Sequence, residues 1–122
     1  MEIFKKFTFE ASHSLPLLPE GHPCGKLHGH SFRVEIRARG PVADSTGWVM
    51  DFAALDAAVR PALGELDHAH LNEVEGLGNP TCERIALWLW RRLKPALPAL
   101  SRIEVMETET TGCVYAGEEE RP

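Results

Sequence analysis

Apolar and polar residues alternate through the opening stretch of the chain, with Ile3, Phe7, Phe9, Ala11 and His13 on one side of the pattern. Side chains of an extended strand point to opposite faces with period 2, which predicts a half-buried strand from about Ile3 to Ser12. A loop marked by Pro16, Pro19, Gly21 and Pro23 follows. It leads through Cys24 into a second strand, from about His28 to Arg39. There His28, His30, Phe32, Val34 and Ile36 share one face, and Ser31, Arg33, Glu35 and Arg37 share the other. Gly40-Pro41 and the stretch Asp44 to Gly47 punctuate the exit.

The period then becomes helical. Asp51 can cap a helix carrying Phe52, Leu55, Val59, Leu63 and Leu66 on one stripe. Pro61 lies inside it and predicts a bend or a break, because its ring removes a backbone hydrogen bond. Asp67-His68-Ala69-His70-Leu71-Asn72 ends this helix, with Gly76 and Gly78 in the loop beyond. A second helix is expected from Asn79-Pro80-Thr81, with Asn79 as cap and Pro80 at the first helical position. Its inner stripe is Ala86, Leu89, Trp90, Leu93 and Leu97, and Pro95 and Pro98 close it. Two further strands, about Arg102 to Glu109 and Cys113 to Ala116, flank Thr110-Thr111-Gly112. The order β-β-α-α-β-β describes an α+β domain, a four-stranded antiparallel sheet with two helices on one face.

A chain of 122 residues fits one domain, 1–122, able to bury roughly two-thirds of its unfolded surface. With 43% hydrophobic and 25% charged residues, disorder is not indicated. A net charge of −5 without a dense Lys/Arg block argues against nucleic acid as partner. No apolar run approaches the ~18 residues a membrane span needs, and the charged N-terminus is unlike a secretory leader. Cysteines at 24, 82 and 113 are sparse and odd in number, which suggests a reducing cytoplasm and no disulfide framework. Glu118-Glu119-Glu120 is expected to be a frayed, solvated end.

The inward face of the second strand carries His28 and His30, and two imidazoles buried without partners would cost free energy. A metal offsets that cost, and neutral imidazole is a ready zinc ligand. Pairing of the first two strands would bring His13 alongside. Three histidines and an open fourth position describe a catalytic zinc site better than a structural one. The residues alone also fit two satisfied core histidines and one surface histidine. Glu107 shares a face with Ile103 and Val105, so it needs a partner or a ligand unless the strand end is exposed.

These residues form a wider pattern. His13, Cys24-x3-His28-Gly-His30, Leu66-Asp67-His68-x-x-Leu71-Asn72, Asn79-Pro80-Thr81-x-Glu83 and the Glu107 to Cys113 strand pair closely resemble the 6-pyruvoyltetrahydropterin synthase superfamily, from Phe4 to Gly117. Phe7-Thr8-Phe9-Glu10-Ala11, Glu20-Gly21-His22, Gly47-Trp48 and Thr111-Gly112-Cys113-Val114-Tyr115 resemble its bacterial 6-carboxytetrahydropterin synthase branch, of the queuosine pathway. The three-residue gap between Cys24 and His28 favours that branch over the animal synthases.

The resemblance implies a tunnelling fold, in which trimers close a twelve-stranded barrel and two trimers stack into a homohexamer with interfacial active sites. It implies one zinc per subunit, held by His13, His28 and His30, and 7,8-dihydroneopterin triphosphate as the small-molecule substrate. The product is 6-carboxytetrahydropterin, with loss of acetaldehyde and triphosphate. Pyruvoyl formation without side-chain cleavage, or a non-catalytic zinc module of the same fold, are the alternatives. Cys24 would act as a thiolate beside the cation, and Asp67 with His68 as a second proton-transfer element from a neighbouring subunit. Glu107 would anchor the pterin by paired hydrogen bonds, with Thr81 and Glu83 near the same pocket. The residues alone also allow Thr81 and Glu83 as helix cap and first-turn charge, Asp67-His68 as a helix terminus, and Cys24 as an ordinary loop cysteine.

Overall fold

The two alternating stretches form long strands, β1 (Glu2–His13) and β2 (His28–Arg39), paired antiparallel along their whole length. The computed structural model describes residues 1–120, so the last two residues of the expected 1–122 domain lie outside the described residues. Phe9 stands opposite Phe32 with the rings stacked at 4.8 Å, and this match of bulky inward residues fixes the register. The same register sets His13 opposite His28 and Ala11 opposite His30. Lys5 interrupts the inward row between Ile3 and Phe7, and its ammonium meets Asp56 at 2.6 Å.

Two helices follow, α1 (Phe52–Leu66) and α2 (Cys82–Leu93), with a two-residue strand β3 (Ala69–His70) between them. Strands β4 (Leu100–Met106) and β5 (Gly112–Tyr115) complete a sheet of order β3-β1-β2-β4-β5. The α+β class and the order of the six long elements are as expected, and β3 adds a fifth strand. It arises because His68 adopts φ 57° and turns the chain after α1, donating its N–H to the Glu10 carbonyl (2.5 Å). Ala69 and His70 then run parallel to β1 beside Ala11 and Ser12. The rest of that edge of β1 has no strand partner among the described residues.

Asp51 caps α1 by accepting from the Ala53 N–H at 2.9 Å. Leu55, Val59, Ala62, Leu63 and Leu66 are buried, but Phe52 is 54% exposed, because it begins the helix beyond the sheet's cover. Helix α1 runs unbroken through Pro61, so of the bend or break expected there the break does not occur. Pro61 and Ala57, whose carbonyl loses its donor, both face solvent, where water replaces the missing bond. Helix α2 is capped by Thr81, not Asn79: the Thr81 hydroxyl oxygen accepts from Arg84 N–H at 3.2 Å, leaving Pro80 outside the helix. Its Ile85, Ala86, Trp88, Leu89, Trp90 and Leu93 pack on the inward sheet residues to make one core. No helix among the described residues is long and apolar enough to cross a membrane.

The last strands differ from expectation at their ends. β4 stops at Met106, because Glu107 to Thr111 turn into β5, with Glu107 N–H donating to the Thr111 carbonyl at 3.1 Å. Gly112 opens β5 where a side chain would have no room, 2.4 Å from the Val105 carbonyl oxygen. Glu118 to Glu120 are exposed but not frayed: they form a 3₁₀ turn, Glu119 N–H donates to the Tyr115 hydroxyl at 3.0 Å, and Arg91 holds Glu120 at 3.0 Å.

Candidate active site

The adjoining ends of β1 and β2 deliver His13, His28 and His30 to one point, with ligand nitrogens all within 4.8 Å of one another. His13 is fully buried. Its Nδ1 lies 2.8 Å from the Pro80 carbonyl, and His28 Nδ1 lies 2.6 Å from the Lys26 carbonyl. A carbonyl oxygen can only accept, so both Nδ1 atoms carry the proton and both Nε2 atoms present a lone pair. Those two Nε2 atoms face each other at 3.0 Å. Two lone pairs at that separation need a cation or a shared proton between them. Nitrogens bound to one zinc at about 2.0–2.1 Å in a tetrahedron stand roughly 3.3 Å apart, so the donor set fits that ion. Burial is the main force holding His13 below its ordinary pKa, with His28 and His30 adding to it against the Pro80 hydrogen bond and Glu107. A neutral imidazole is the form that ligates a metal.

Phe32 walls the cluster from below, its ring edge-to-face with His13 at 5.6 Å and His30 at 5.4 Å. Glu107 closes another side, its Oε1 3.4 Å from His13 Nε2 and 3.8 Å from His30 Nε2. It follows Ile103 and Val105 on the inward face just past the end of β4, and its side chain remains 25% exposed. The carboxylate therefore has apolar and imidazole neighbours on one side and an opening on the other.

The other sequence-derived site residues stand apart. Cys24 sits exposed in the 3₁₀ turn Pro23–Gly25, held through its backbone by His22 Nδ1 and the Leu15 N–H, each at 3.1 Å. Asp67 follows α1, and its Oδ1 accepts from the Glu10 N–H at 2.9 Å while Oδ2 meets His68 Nδ1 at 3.0 Å. Those two hydrogen bonds hold the Asp67 carboxyl below the usual carboxylate range. His68 is 79% exposed and borders an open depression of about 640 Å³ with Glu10, Ser12, Ser31 and His70. Among the described residues no hydrogen bond links Cys24 to Asp67 or His68 within the chain. Thr81 is engaged as the α2 cap, and Glu83 accepts from the Cys82 thiol at 3.1 Å.

Several contributors escaped the sequence reading. Main-chain carbonyls of Lys26 and Pro80 orient two histidines, and no side-chain type signals that role. Asn72 clamps the end of β1, accepting from Ser14 N–H at 2.9 Å and donating to Ser14 C=O at 2.8 Å. Asn79 Oδ1 is buried without a hydrogen-bond partner among the described residues.

The sequence profile of the 6-pyruvoyl tetrahydropterin synthase family matches residues 2–118. The chain is 43% identical to the 6-carboxy-5,6,7,8-tetrahydropterin synthase of Synechocystis sp., over 93% of this chain and 91% of that protein. It is 34% identical to the dihydroneopterin monophosphate aldolase of Pyrococcus furiosus, over 90% of this chain and 92% of that protein. A solved 6-pyruvoyl tetrahydropterin synthase from Caenorhabditis elegans superposes with a TM-score of 0.88, covering 97% of this chain and 96% of that chain at 23% identity, a likeness of fold.

Proposed function

Since the chain belongs to the 6-pyruvoyl tetrahydropterin synthase family, we propose that it is a zinc-dependent carbon–carbon lyase converting 7,8-dihydroneopterin triphosphate to 6-carboxy-5,6,7,8-tetrahydropterin, acetaldehyde and triphosphate. The observation that carries this reading is the convergence of three imidazole nitrogens beside a half-buried carboxylate. When bound, zinc would lower the pKa of the substrate's side-chain hydroxyls and stabilise negative charge developing on their oxygens.

The chain's own residues supply the rest. His13, His28 and His30 hold the ion, and two of them are pre-oriented by main-chain carbonyls. Glu107 accepts two parallel hydrogen bonds from the pterin N–H and exocyclic amine, which places the substrate side chain at the cluster. Thr81, the cap of α2, and Glu83, in its first turn, are read as further contacts of the pterin substrate. Cys24 takes and returns protons next to the ring, and Asp67 steadies the imidazole of His68 and stabilises its cation.

The separation of Cys24 from the Asp67–His68 pair within one chain supports an interfacial site, with the pair reaching Cys24 from a neighbouring subunit. The open edges of β1 and β5 support closure of three sheets into a barrel, and the assembly is read as a homohexamer of two trimers. The enzyme would act in the cytoplasm, in queuosine formation.

Incubation of zinc-loaded protein with 7,8-dihydroneopterin triphosphate tests this, with products identified by mass spectrometry and acetaldehyde assayed alongside. A carboxy-pterin with acetaldehyde is expected. A pyruvoyl product would replace the reading by that of the sister synthase, and zinc binding without turnover would leave only a metal-binding module.

A further inference from the structure

His13, the buried member of the histidine cluster, ends β1, and along one edge that strand is paired with β2 over its whole length. Along the other edge β3 pairs with Ala11 and Ser12 alone. Strand ends at an open edge come apart locally at little free-energy cost. A metal site, by contrast, needs its ligand atoms held within about 0.5 Å.

The segment Asp67–Asn72 holds the end of β1 at three alternate residues, and polar side chains take part each time. Asp67 Oδ1 accepts from the Glu10 N–H at 2.9 Å, while the His68 N–H donates to the Glu10 carbonyl. His70 Nδ1 meets the Ser12 hydroxyl at 3.0 Å. Asn72 Oδ1 accepts from the Ser14 N–H at 2.9 Å, and its amide nitrogen donates to the Ser14 carbonyl at 2.8 Å. An amide satisfies both main-chain groups at once, which neither a carboxylate nor an apolar side chain can do. Leu71, fully buried, roots the segment in the core.

We propose that Asn72 is a positioning residue for the metal: by locking the main chain just past His13, it holds that imidazole in ligating register with His28 and His30. The inference rests on the reading of the three histidines as zinc ligands, and on no other part of the pterin chemistry. β2 sets His13 opposite His28, and the Pro80 carbonyl accepts from its Nδ1. Those contacts fix its height in the sheet and the rotation of its ring. The Asn72 clamp adds what they lack, a hold on the peptide that follows. Without it His13 can still reach the ion, but binding must first order the strand end, and the cost appears as weaker affinity. Because the same segment begins with Asp67 and His68, one short stretch of chain also ties the metal ligand to the proposed proton-transfer pair.

The test measures zinc affinity of wild type, Asn72→Ala and Asn72→Asp by competition with a chromophoric chelator, at a temperature where circular dichroism shows each folded. Asn72→Ala should bind zinc about 10-fold more weakly, the low end of what losing a supporting group around a metal costs. Asn72→Asp keeps an acceptor for the Ser14 N–H and should recover part of that loss. Asp51→Ala removes the cap at the other end of α1 from Asp67, loosening the fold elsewhere, and should bind zinc like wild type. Hydrogen exchange at the Ser14 amide of metal-free protein should quicken in Asn72→Ala and stay slow in Asp51→Ala. Wild-type zinc affinity in Asn72→Ala would overturn the proposal while leaving the ligand assignment in place. Equal weakening in Asp51→Ala would do the same, since general loosening would then account for the effect. A wild-type chain that takes up no zinc would remove the ligand assignment, and this proposal with it.

Discussion

Replacing Gly112 by alanine would place a methyl carbon 2.4 Å from the Val105 carbonyl oxygen and 3.0 Å from Met106 Cα. Ordinary contacts between heavy atoms begin roughly 1 Å farther out, so something must move. Both obstacles are main chain, and neither can rotate aside. β5 would have to lift from β4 at the Met106–Gly112 pair, and overpacking of this kind costs about 1–3 kcal/mol. The same substitution at Gly64 meets nothing within 4 Å on the exposed side of α1. There it removes a flexible residue from a helix interior and should stabilise by about 0.5–1 kcal/mol. One chemical change thus gives opposite signs at two positions. Urea unfolding of chelator-treated protein at one fixed concentration reads both as midpoint shifts at constant m. Gly112→Ala should also disturb the turn from Glu107 to Thr111, raising KM for the pterin more than it lowers kcat. A wild-type midpoint for Gly112→Ala, or a lowered one for Gly64→Ala, would refute the packing argument.

Three further outcomes are expected. His28→Ala should lose almost all bound zinc by atomic absorption, and full occupancy would remove His28 from the ligand set. Cys24→Ala should lower turnover by about 100-fold or more while metal content and oligomeric state stay unchanged; lost zinc or lost assembly would show that its role was misassigned. The pKa of His13 lies below its unfolded value near 6.5, so below that pH the unfolded chain binds a proton the folded chain refuses. Chelator-treated protein should therefore lose stability as pH falls from about 6.5, by at most about 1.4 kcal/mol per unit from this residue. Denaturant titrations across pH check this: His13→Gln should flatten the slope, and an unchanged slope would contradict the assignment.

Much of the fold was readable because β1 and β2 alternate along most of their length, Lys5 excepted, and that pattern sets both the register and the position of His13 beside His28. Glu107 was legible for the same reason, as a carboxylate in an apolar row. The short strand β3 was not, since two residues cannot display a period, and it depends on the positive φ of His68. The cap of α2 was misplaced because Asn79 and Thr81 are both good capping residues. The choice falls to Thr81, whose N–H closes a turn on the Asn79 carbonyl at 2.9 Å while the Pro80 carbonyl serves His13. Pro61 proved tolerable because exposure, which the sequence does not print, decides its cost. The catalytic roles proposed for Cys24, Asp67 and His68 had no local signal either, as no hydrogen bond joins Cys24 to the pair among the described residues.

The acceptors that orient His13 and His28 belong to the main chain, and that has a bearing on how the sequence can drift. Every amino acid carries a carbonyl, so exchanging the side chain of Lys26 deletes nothing the site uses. Inserting or removing a single residue between Cys24 and His28, by contrast, would carry the oxygen away from its imidazole. The constraint on these loops is one of length and path, not of residue type. Homologues should vary freely in identity at such positions while keeping the spacing, and a substitution scan would pass over them as neutral.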